Sequence, residues 1–194
     1  MKRALSCILL VLTMTMPGCK QAVDLDNLLG SGSGGAAVSP DFQPEAVSPG
    51  VNDHYVTLRK SAVRRNQITL DVVVTDVSEP VSGIAIKLTY DPTVARFAGC
   101  ADGTLFQPGT CYASESPAGS GEVFIGRSIT APETAIAVVG SRTIVRLSFS
   151  LIQPNQTTIV FEAQNLGGGD ATALLDANGN PILVSWFEGT LLGT

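Results

Sequence analysis

Alternation of apolar and polar residues with a period of two is the feature that most constrains the fold of this chain. The alternation is clearest in residues 67–74, 83–90 and 144–151, and a shorter row covers residues 159–163. Successive side chains of a strand point to opposite faces, so this period predicts strands with one buried face. Weaker strand candidates lie at residues 123–127, 135–139, 171–175 and 182–187.

Turn signals separate these segments at short intervals. They are Glu79-Pro80, Asp91-Pro92, residues 117–121, Gly140, Pro154-Asn155, residues 167–169 and residues 176–181. Asn178-Gly179, within the last of them, is the strongest short hairpin signal. Many short strands joined by regular turns are typical of a sandwich or barrel. The sequence therefore predicts an all-β domain over residues 51–194, a two-sheet jelly-roll β-sandwich of about nine strands.

Composition agrees with one sheet-rich domain and argues against one class of partner. The 194 residues are 44% hydrophobic and 15% charged, with 20 glycines. That length is enough for one substantial core and short for two. The formal net charge is −5, and it becomes −7 if Lys2 and Arg3 are removed with a leader. An acidic chain is poorly suited to nucleic acid, because that binding depends on Lys and Arg neutralising phosphate.

The N-terminus predicts export. Lys2 and Arg3 precede an apolar stretch at residues 8–16, which is too short to span a bilayer stably. Met16-Pro17-Gly18-Cys19 follows and resembles a bacterial lipoprotein signal. Residues 1–18 are thus predicted to be a signal peptide and Cys19 to carry lipid, at the outer membrane or cell surface. The alternative is an ordinary secretory signal with an incidental cysteine; either way the chain is exported.

Residues 19–50 are predicted to be a flexible tether between the lipid and the folded domain. Residues 30–35 consist only of glycine and serine, and Pro40, Pro44 and Pro49 follow. Such composition is typical of an extended segment that packs poorly. A tether of this kind would hold the domain away from the membrane.

Two of the four cysteines remain once the N-terminal region is set aside. Cys7 lies in the predicted signal and Cys19 at its end, which leaves Cys100 and Cys111 in an oxidising compartment. We expect these two to form a disulfide. The alternative is a metal pair, which the single histidine of the chain disfavours.

Three segments of the sandwich resemble a cohesin module. The first runs from Val81 to Pro92, ends in Tyr90-Asp91-Pro92, and is followed by apolar Val94 and Phe97. The second is residues 161–176 with the Gly-Gly-Gly-Asp-Ala run, and the third is residues 182–191 with Trp186 to Gly189. The resemblance covers roughly residues 54 to 194 at the level of strands and turns.

The resemblance implies a non-catalytic protein-binding module. Cohesins of cellulose-degrading assemblies use one flat sheet face to hold the dockerin modules of enzymes. In the matching strand of this chain, Ala85, Lys87 and Thr89 point outward with Gly83 and become candidate binding residues. Tyr90, the last inward residue, and the Asp91-Pro92 turn are expected to be structural.

The residues offer little for catalysis. His54 is the only histidine and has no neighbouring nucleophile or acidic cluster beyond Asp53, whereas a triad needs a histidine oriented by a third group. We therefore expect no enzyme activity. Calcium is the one candidate cofactor, because Asp170, Asp176 and Asn178 supply hard oxygens near one end of the sandwich. The hairpin at Asn178-Gly179 explains the same residues without a metal.

Two other functions compete with protein binding. A carbohydrate-binding module would use exposed aromatic rings to hold polysaccharide. Trp186 and Phe187 are adjacent, so one of them should point outward from a regular strand, and Tyr112 and Phe106 are further candidates. A structural envelope lipoprotein without a ligand of its own is the third hypothesis. The partner is thus predicted to be a protein, dockerin-like or not, or a polysaccharide.

Overall fold

The computed structural model describes residues 38–48, 54–107, 109–129, 134–162 and 172–194. They lie in one compact unit, Ala37–Thr194. In the described residues the regular structure is all strand, and no helix there is long and apolar enough to cross a membrane. In chain order the strands are β1 Pro40–Pro44, β2 Tyr55–Arg64, β3 Gln67–Thr75, β4 Val81–Thr89, β5 Ala95–Asp102, β6 Tyr112–Glu115, β7 Glu122–Ser128, β8 Ser141–Leu151, β9 Gln156–Phe161, β10 Ala173–Asp176, β11 Pro181–Ile182, β12 Ser185–Phe187 and β13 Gly189–Gly193.

The strands form two sheets, which confirms the predicted all-β sandwich. One sheet has five strands in the order β12–β2–β3–β8–β5. The other has eight strands, in which β6, β7 and β4 lie side by side. Beyond β4 this sheet divides. β9, followed by β13 and β1, pairs with Leu88 and Thr89, whereas β10, followed by β11, pairs with the stretch Val81 to Ala85.

The core lies between the sheets and contains the alternating residues of the sequence. Ile68, Leu70, Val72 and Val74 of β3 are fully buried. The inward rows of β4 and β8 are buried as well, and their residues are Ile84, Ile86, Leu88, Ile144, Val145, Leu147, Phe149 and Leu151. Removing these side chains from water stabilises the sandwich by about 1.5–3 kcal/mol per large residue.

The strand count and two of the weaker candidates need correction. The described residues contain thirteen strands, several of which have only two to five residues, too few for an alternation to be visible. Residues 135–139 form no strand and contribute one bridge, from Ile136 to Val81. Residues 182–187 divide into β11 and β12, which belong to different sheets.

The folded part begins earlier than the predicted boundary at residue 51. Pro40–Pro44 is an edge strand that pairs along its whole length with β13, and Phe42 is buried in the core. The two prolines occupy the ends of this edge strand, where a missing N–H is tolerated. Proline spacing alone therefore gave the wrong prediction for residues 40–44. Residues 1–37, with the predicted signal and Cys19, lie outside the described residues.

The predicted disulfide and hairpin are confirmed. Cys100 and Cys111 are bonded, with 5.9 Å between their Cα atoms. The bond connects β5, at the edge of the five-stranded sheet, to the residue before β6, at the edge of the other sheet. Asp176 and Asn180 close the turn between β10 and β11, and Gly179 has the positive φ of 79° that a tight turn requires.

Candidate functional site

A concave surface lies on the outer face of the eight-stranded sheet, over β4, β7 and β6. It encloses about 550 Å³. Its outward-facing residues are Ala85, Lys87, Tyr112, Ser114, Phe124 and Gly126, and we call this surface the outer groove.

Strand register explains why this surface is concave. Ala85 of β4 and Tyr112 of β6 both pair with Gly126 of β7, so these three residues form one row across the strands. The next row contains Lys87, Phe124 and Ser114. Because the first row has only a methyl group and a hydrogen in two of its positions, a depression forms beside the large side chains.

Gly126 is the lowest point of the outer groove. A Cβ atom added there would meet no heavy atom within 4 Å, so the space above it is open. Glycine inside a strand usually weakens the strand and often marks a place where another molecule approaches the backbone. Tyr112, on the rim, is 72% exposed, and its ring is available for contact.

Lys87 provides charge at the other rim. Its Nζ lies 3.0 Å from Oε2 of Glu162 and 3.7 Å from Oε1 of Glu122, and it sits 5.3 Å from the centre of the Phe124 ring. Lys87 therefore lies between the two carboxylates, and the rim carries a net negative charge. Glu122 of β7 and Glu162, which follows β9, thus both lie close to one lysine.

A buried arginine holds the loop beside the rim. The guanidinium of Arg127 donates from Nε to Oδ1 of Asp102 at 2.9 Å and from Nη2 to the carbonyl of Phe106. Its Cζ also lies 5.6 Å from the Phe106 ring centre. These contacts fix the connection between β5 and β6, and the disulfide ends next to Tyr112.

Tyr90 supports β6 from inside the sandwich. Its hydroxyl donates to Oε1 of Glu115 at 2.5 Å and accepts from the backbone N–H of Phe97 at 2.9 Å. Burial, followed by the bond to Glu115, raises the pKa of Tyr90. Burial opposes ionisation of Glu115 too, but bonds from Tyr90 and from the Gly119 N–H lower the pKa of this carboxyl below its ordinary value. The end of β6 is thus fixed to two other strands.

The candidate binding residues of β4 reach this surface in part. Ala85 and Lys87 line the outer groove, as the outward positions predict. Thr89 pairs with Glu122 one row further along and does not line it. Asp91 caps its turn, where Oδ1 accepts from the N–H of Thr93 at 2.8 Å, which agrees with its structural interpretation.

The two aromatic candidates of β12 are not on an exposed platform. Phe187 is only 6% exposed and meets Tyr55 edge to face, with 5.8 Å between the ring centres. Trp186 packs on Phe161 at 5.1 Å and is partly buried against the core. Phe106 is buried as well. Packing covers both adjacent rings of β12. This strand pairs in parallel with β2, where Trp186 lies opposite the core residue Val56.

Asp176 and Asn178, two of the calcium candidates, are hydrogen-bonded to each other within their own turn. Oδ1 of Asp176 accepts from the N–H groups of Asn178 and Asn180, and Oδ2 accepts from Nδ2 of Asn180. The hydrogen bond from the Asn180 N–H is the main cause that lowers the pKa of Asp176. Asp170 lies outside the described residues, so calcium binding stays a prediction.

The described part of the chain contains no metal-binding cluster, and its histidine contacts the backbone. Nδ1 of His54 contacts the backbone carbonyl of Asp76. Within the same residues there is no group of three or more His, Cys, Asp or Glu side chains that could hold a metal.

Sequence reasoning missed the residues that shape the outer groove. Phe124 and Gly126 lie in a weak strand candidate, and its period of two places both on one face. Their pairing with β4 and β6 depends on tertiary contacts that no short-range signal reports. The sequence indicates Tyr112 only as a candidate for carbohydrate binding.

The sequence matches no protein-family model and no curated protein. Solved structures are similar in fold. The second type II cohesin module of the cellulosomal adaptor scaffoldin ScaA from Acetivibrio cellulolyticus has a TM-score of 0.55 at 20% identity, over 70% of this chain and 92% of that one. A type II cohesin domain from the cellulosome of the same organism has a TM-score of 0.54 at 18% identity, over 73% and 95%.

A chain of a type I cohesin–dockerin complex from Clostridium thermocellum has a TM-score of 0.54 at 13% identity, over 72% of this chain and 97% of that one. The fold of this chain is therefore cohesin-like, which confirms the resemblance seen in the sequence.

Proposed function

We propose that this cohesin-like domain is a non-catalytic module that binds a protein partner, of dockerin type, through the outer groove. The single observation that carries the proposal is the open depression over Gly126, bounded by Tyr112 and Lys87 on the outer face of β4, β7 and β6. The similar fold of a cohesin solved together with a dockerin supports the partner class.

The chemistry of the outer groove suits a protein surface. Tyrosine is enriched among the residues that dominate interface energies, and Tyr112 offers a large ring at the rim. The small floor at Ala85 and Gly126 allows a partner side chain or helix to approach the sheet closely. Lys87 with Glu122 and Glu162 supplies a polar rim, which interfaces use for specificity.

We further propose that the domain acts outside the cytosol, attached to a membrane through lipid on Cys19. The pattern of Lys2, Arg3, the apolar residues 8–16 and Gly18-Cys19 supports this location. The attachment would place the domain at the cell envelope with its partner.

A calorimetric titration of the full chain with type I and type II dockerin modules tests the proposal. We expect binding to at least one of them. Gly126→Trp should weaken that binding by about thirtyfold or more, because the indole would fill the depression where a partner must enter. A Cβ atom at residue 126 would meet no heavy atom within 4 Å, so the substitution does not clash with the backbone around it. The matched control is Ala101→Trp, an exposed position of β5 in the opposite sheet, which should leave the affinity unchanged.

Two results would contradict the proposal: no binding to any dockerin, or equal binding by Gly126→Trp.

The exposed Tyr112 at the rim favours polysaccharide as the second candidate ligand, because rings stack on sugars. Retention of the chain on insoluble cellulose, lost in Tyr112→Ala, would support this second function instead.

A further inference from the structure

Charge is divided unevenly between the two sheets. The five-stranded sheet, with the β2–β3 turn, carries seven basic and two acidic side chains. They are Arg59, Lys60, Arg64, Arg65, Arg96, Arg142, Arg146, Asp71 and Asp102. The eight-stranded sheet carries two basic and four acidic ones, Lys87, Arg127, Asp41, Glu115, Glu122 and Asp176. A chain with a net charge of −5 thus concentrates its positive charge on one side.

Five of these arginines lie on or beside the outer face of the five-stranded sheet. Arg64 pairs with Gln67, Gln67 with Ser150, and Ser150 with Arg96, which places the four in one row. Their neighbours Ile68 and Phe149 are fully buried, so the row faces outward. Four neighbouring strands put Arg64 roughly 14 Å from Arg96. Arg65 follows in the turn.

A second row lies four residues further along β3. It contains Arg59, Asp71 and Arg146. Asp71 is the acidic residue of this face, and its Oδ1 lies 3.3 Å from Nε of Arg146. We call Arg59, Arg64, Arg65, Arg96 and Arg146 the basic face.

Most of this charge is not compensated inside the domain. Arg59, Arg64, Arg65 and Arg96 are exposed, and the described part of the chain gives none of them an ion pair within 4 Å. The charge of Arg96 acts on Glu115, which itself is bonded to Tyr90. Like charges on one face repel one another, so binding of an anionic surface to that face is electrostatically favourable.

The N-terminal part of the chain joins the sandwich at the Arg64 end of this face. Ser39 is hydrogen-bonded to Thr194, and the Gly193 N–H donates to the carbonyl of Asn155 in the turn after β8. That turn begins directly after Leu151. The Leu151 N–H donates to the carbonyl of Asn66, the residue between Arg65 and Gln67. Ser39 therefore lies at the Arg64 end of the sandwich.

We propose that the basic face binds the phosphate headgroups of an anionic phospholipid bilayer. The proposal rests on the membrane attachment proposed above and is independent of what the outer groove binds. About 20 residues separate the proposed lipid on Cys19 from Ser39, and a flexible chain of that length has a root-mean-square end-to-end distance of about 25 Å, so headgroups would be the anions at highest local concentration. Basic residues near such a surface strengthen binding by about fivefold each.

Binding in this orientation leaves the outer groove accessible. The outer groove lies on the outer face of the opposite sheet, so it points away from a bilayer held by the basic face. Ile152, exposed at 40%, follows core-facing Leu151 at the same end as Arg64 and adds apolar contact to the headgroup region.

Arginine labelling of the full chain with a dicarbonyl reagent, read by mass spectrometry, tests the proposal. Excess phosphatidylcholine vesicles containing phosphatidylglycerol should slow labelling of Arg64, Arg65 and Arg96 about fivefold or more. Vesicles of phosphatidylcholine alone should not, and about 0.5 M salt should remove the effect. Arg142, exposed at the other end of β8 and paired with core-facing Val74, is the internal control and should keep its rate.

A charge-matched variant separates the basic face from net charge. Arg64→Gln/Arg96→Gln should abolish the slowing at Arg65. Adding Glu45→Gln/Glu79→Gln restores the net charge of the chain but not the arginines of the basic face. The slowing should therefore stay absent in the fourfold variant. The proposal is overturned if anionic vesicles leave the three rates unchanged, if neutral vesicles slow them equally, or if the charge-restored variant recovers. Slowing by dextran sulfate but not by vesicles would assign the face to an acidic polysaccharide. The dockerin titration reports separately on the outer groove.

Discussion

At the scale of single residues, the hydroxyl of Tyr90 has the most demanding position. Tyr90 is 7% exposed, donates to Glu115 and accepts from the N–H of Phe97. Its ring meets Phe149 edge to face, with 5.4 Å between centres. One side chain thus connects the end of β4 to β5, β6 and β8. Buried polar groups are costly only when a partner is missing, so this network is sensitive to the loss of a single atom.

Tyr90→Phe removes that atom and should lower the free energy of unfolding by about 1–3 kcal/mol, because Glu115 and the Phe97 N–H lose their buried partner. Urea unfolding at pH 7 measures the change. Thr93→Val, which removes an exposed hydroxyl from the Asp91 turn, is the comparison and should cost less than 1 kcal/mol. An equal cost for the two variants would show that the Tyr90 network does not carry the stability assigned to it.

At the scale of elements, the connection between β5 and β6 determines the shape of the outer groove. β6 has only four residues and pairs with β7 on one side, and so short a strand is marginal alone. The Cys100–Cys111 bond and the contact between Arg127 and Asp102 fix the connection that leads into it. We infer that both keep Tyr112 at the rim.

Cys100→Ser/Cys111→Ser should therefore change two quantities together. The free energy of unfolding should fall by about 3 kcal/mol, as expected for a loop of about ten residues. The affinity for a dockerin that the wild-type chain binds should fall about tenfold, because Tyr112 loses its fixed position. Denaturant unfolding and calorimetry measure these two effects. Unchanged affinity in a folded double variant would mean that the disulfide does not support the outer groove.

Sequence patterns predicted the long elements and missed the short ones for a physical reason. β3, β4 and β8 have nine to eleven residues, enough for the alternation of buried and exposed positions to appear. β1 and β6 have only five and four residues, too few for an alternation to stand out from the flanking loops. Lys87 and Ala85 could be placed outward from their own strand, whereas the depression over Gly126 arises from three strands that meet only in the folded state.

At the scale of the whole molecule, the sandwich has two outer faces of different chemistry. One carries the outer groove with its acidic rim, and the other carries the basic face. The core that separates them is continuous from β3 to β4, so the faces are held at a fixed distance. A domain built this way can rest on an anionic surface and hold a partner on the other side without either contact disturbing the other.

Hydrogen exchange of the full chain with and without a saturating dockerin, read by mass spectrometry, is the most direct test of the central claim that the outer groove is the binding surface. We expect slower exchange in peptides that cover β4, β6 and β7, and no change in β3 or β8 of the opposite sheet. Slower exchange confined to β3 and β8, or unchanged exchange in β4, β6 and β7 of a complex known to be saturated, would contradict the account.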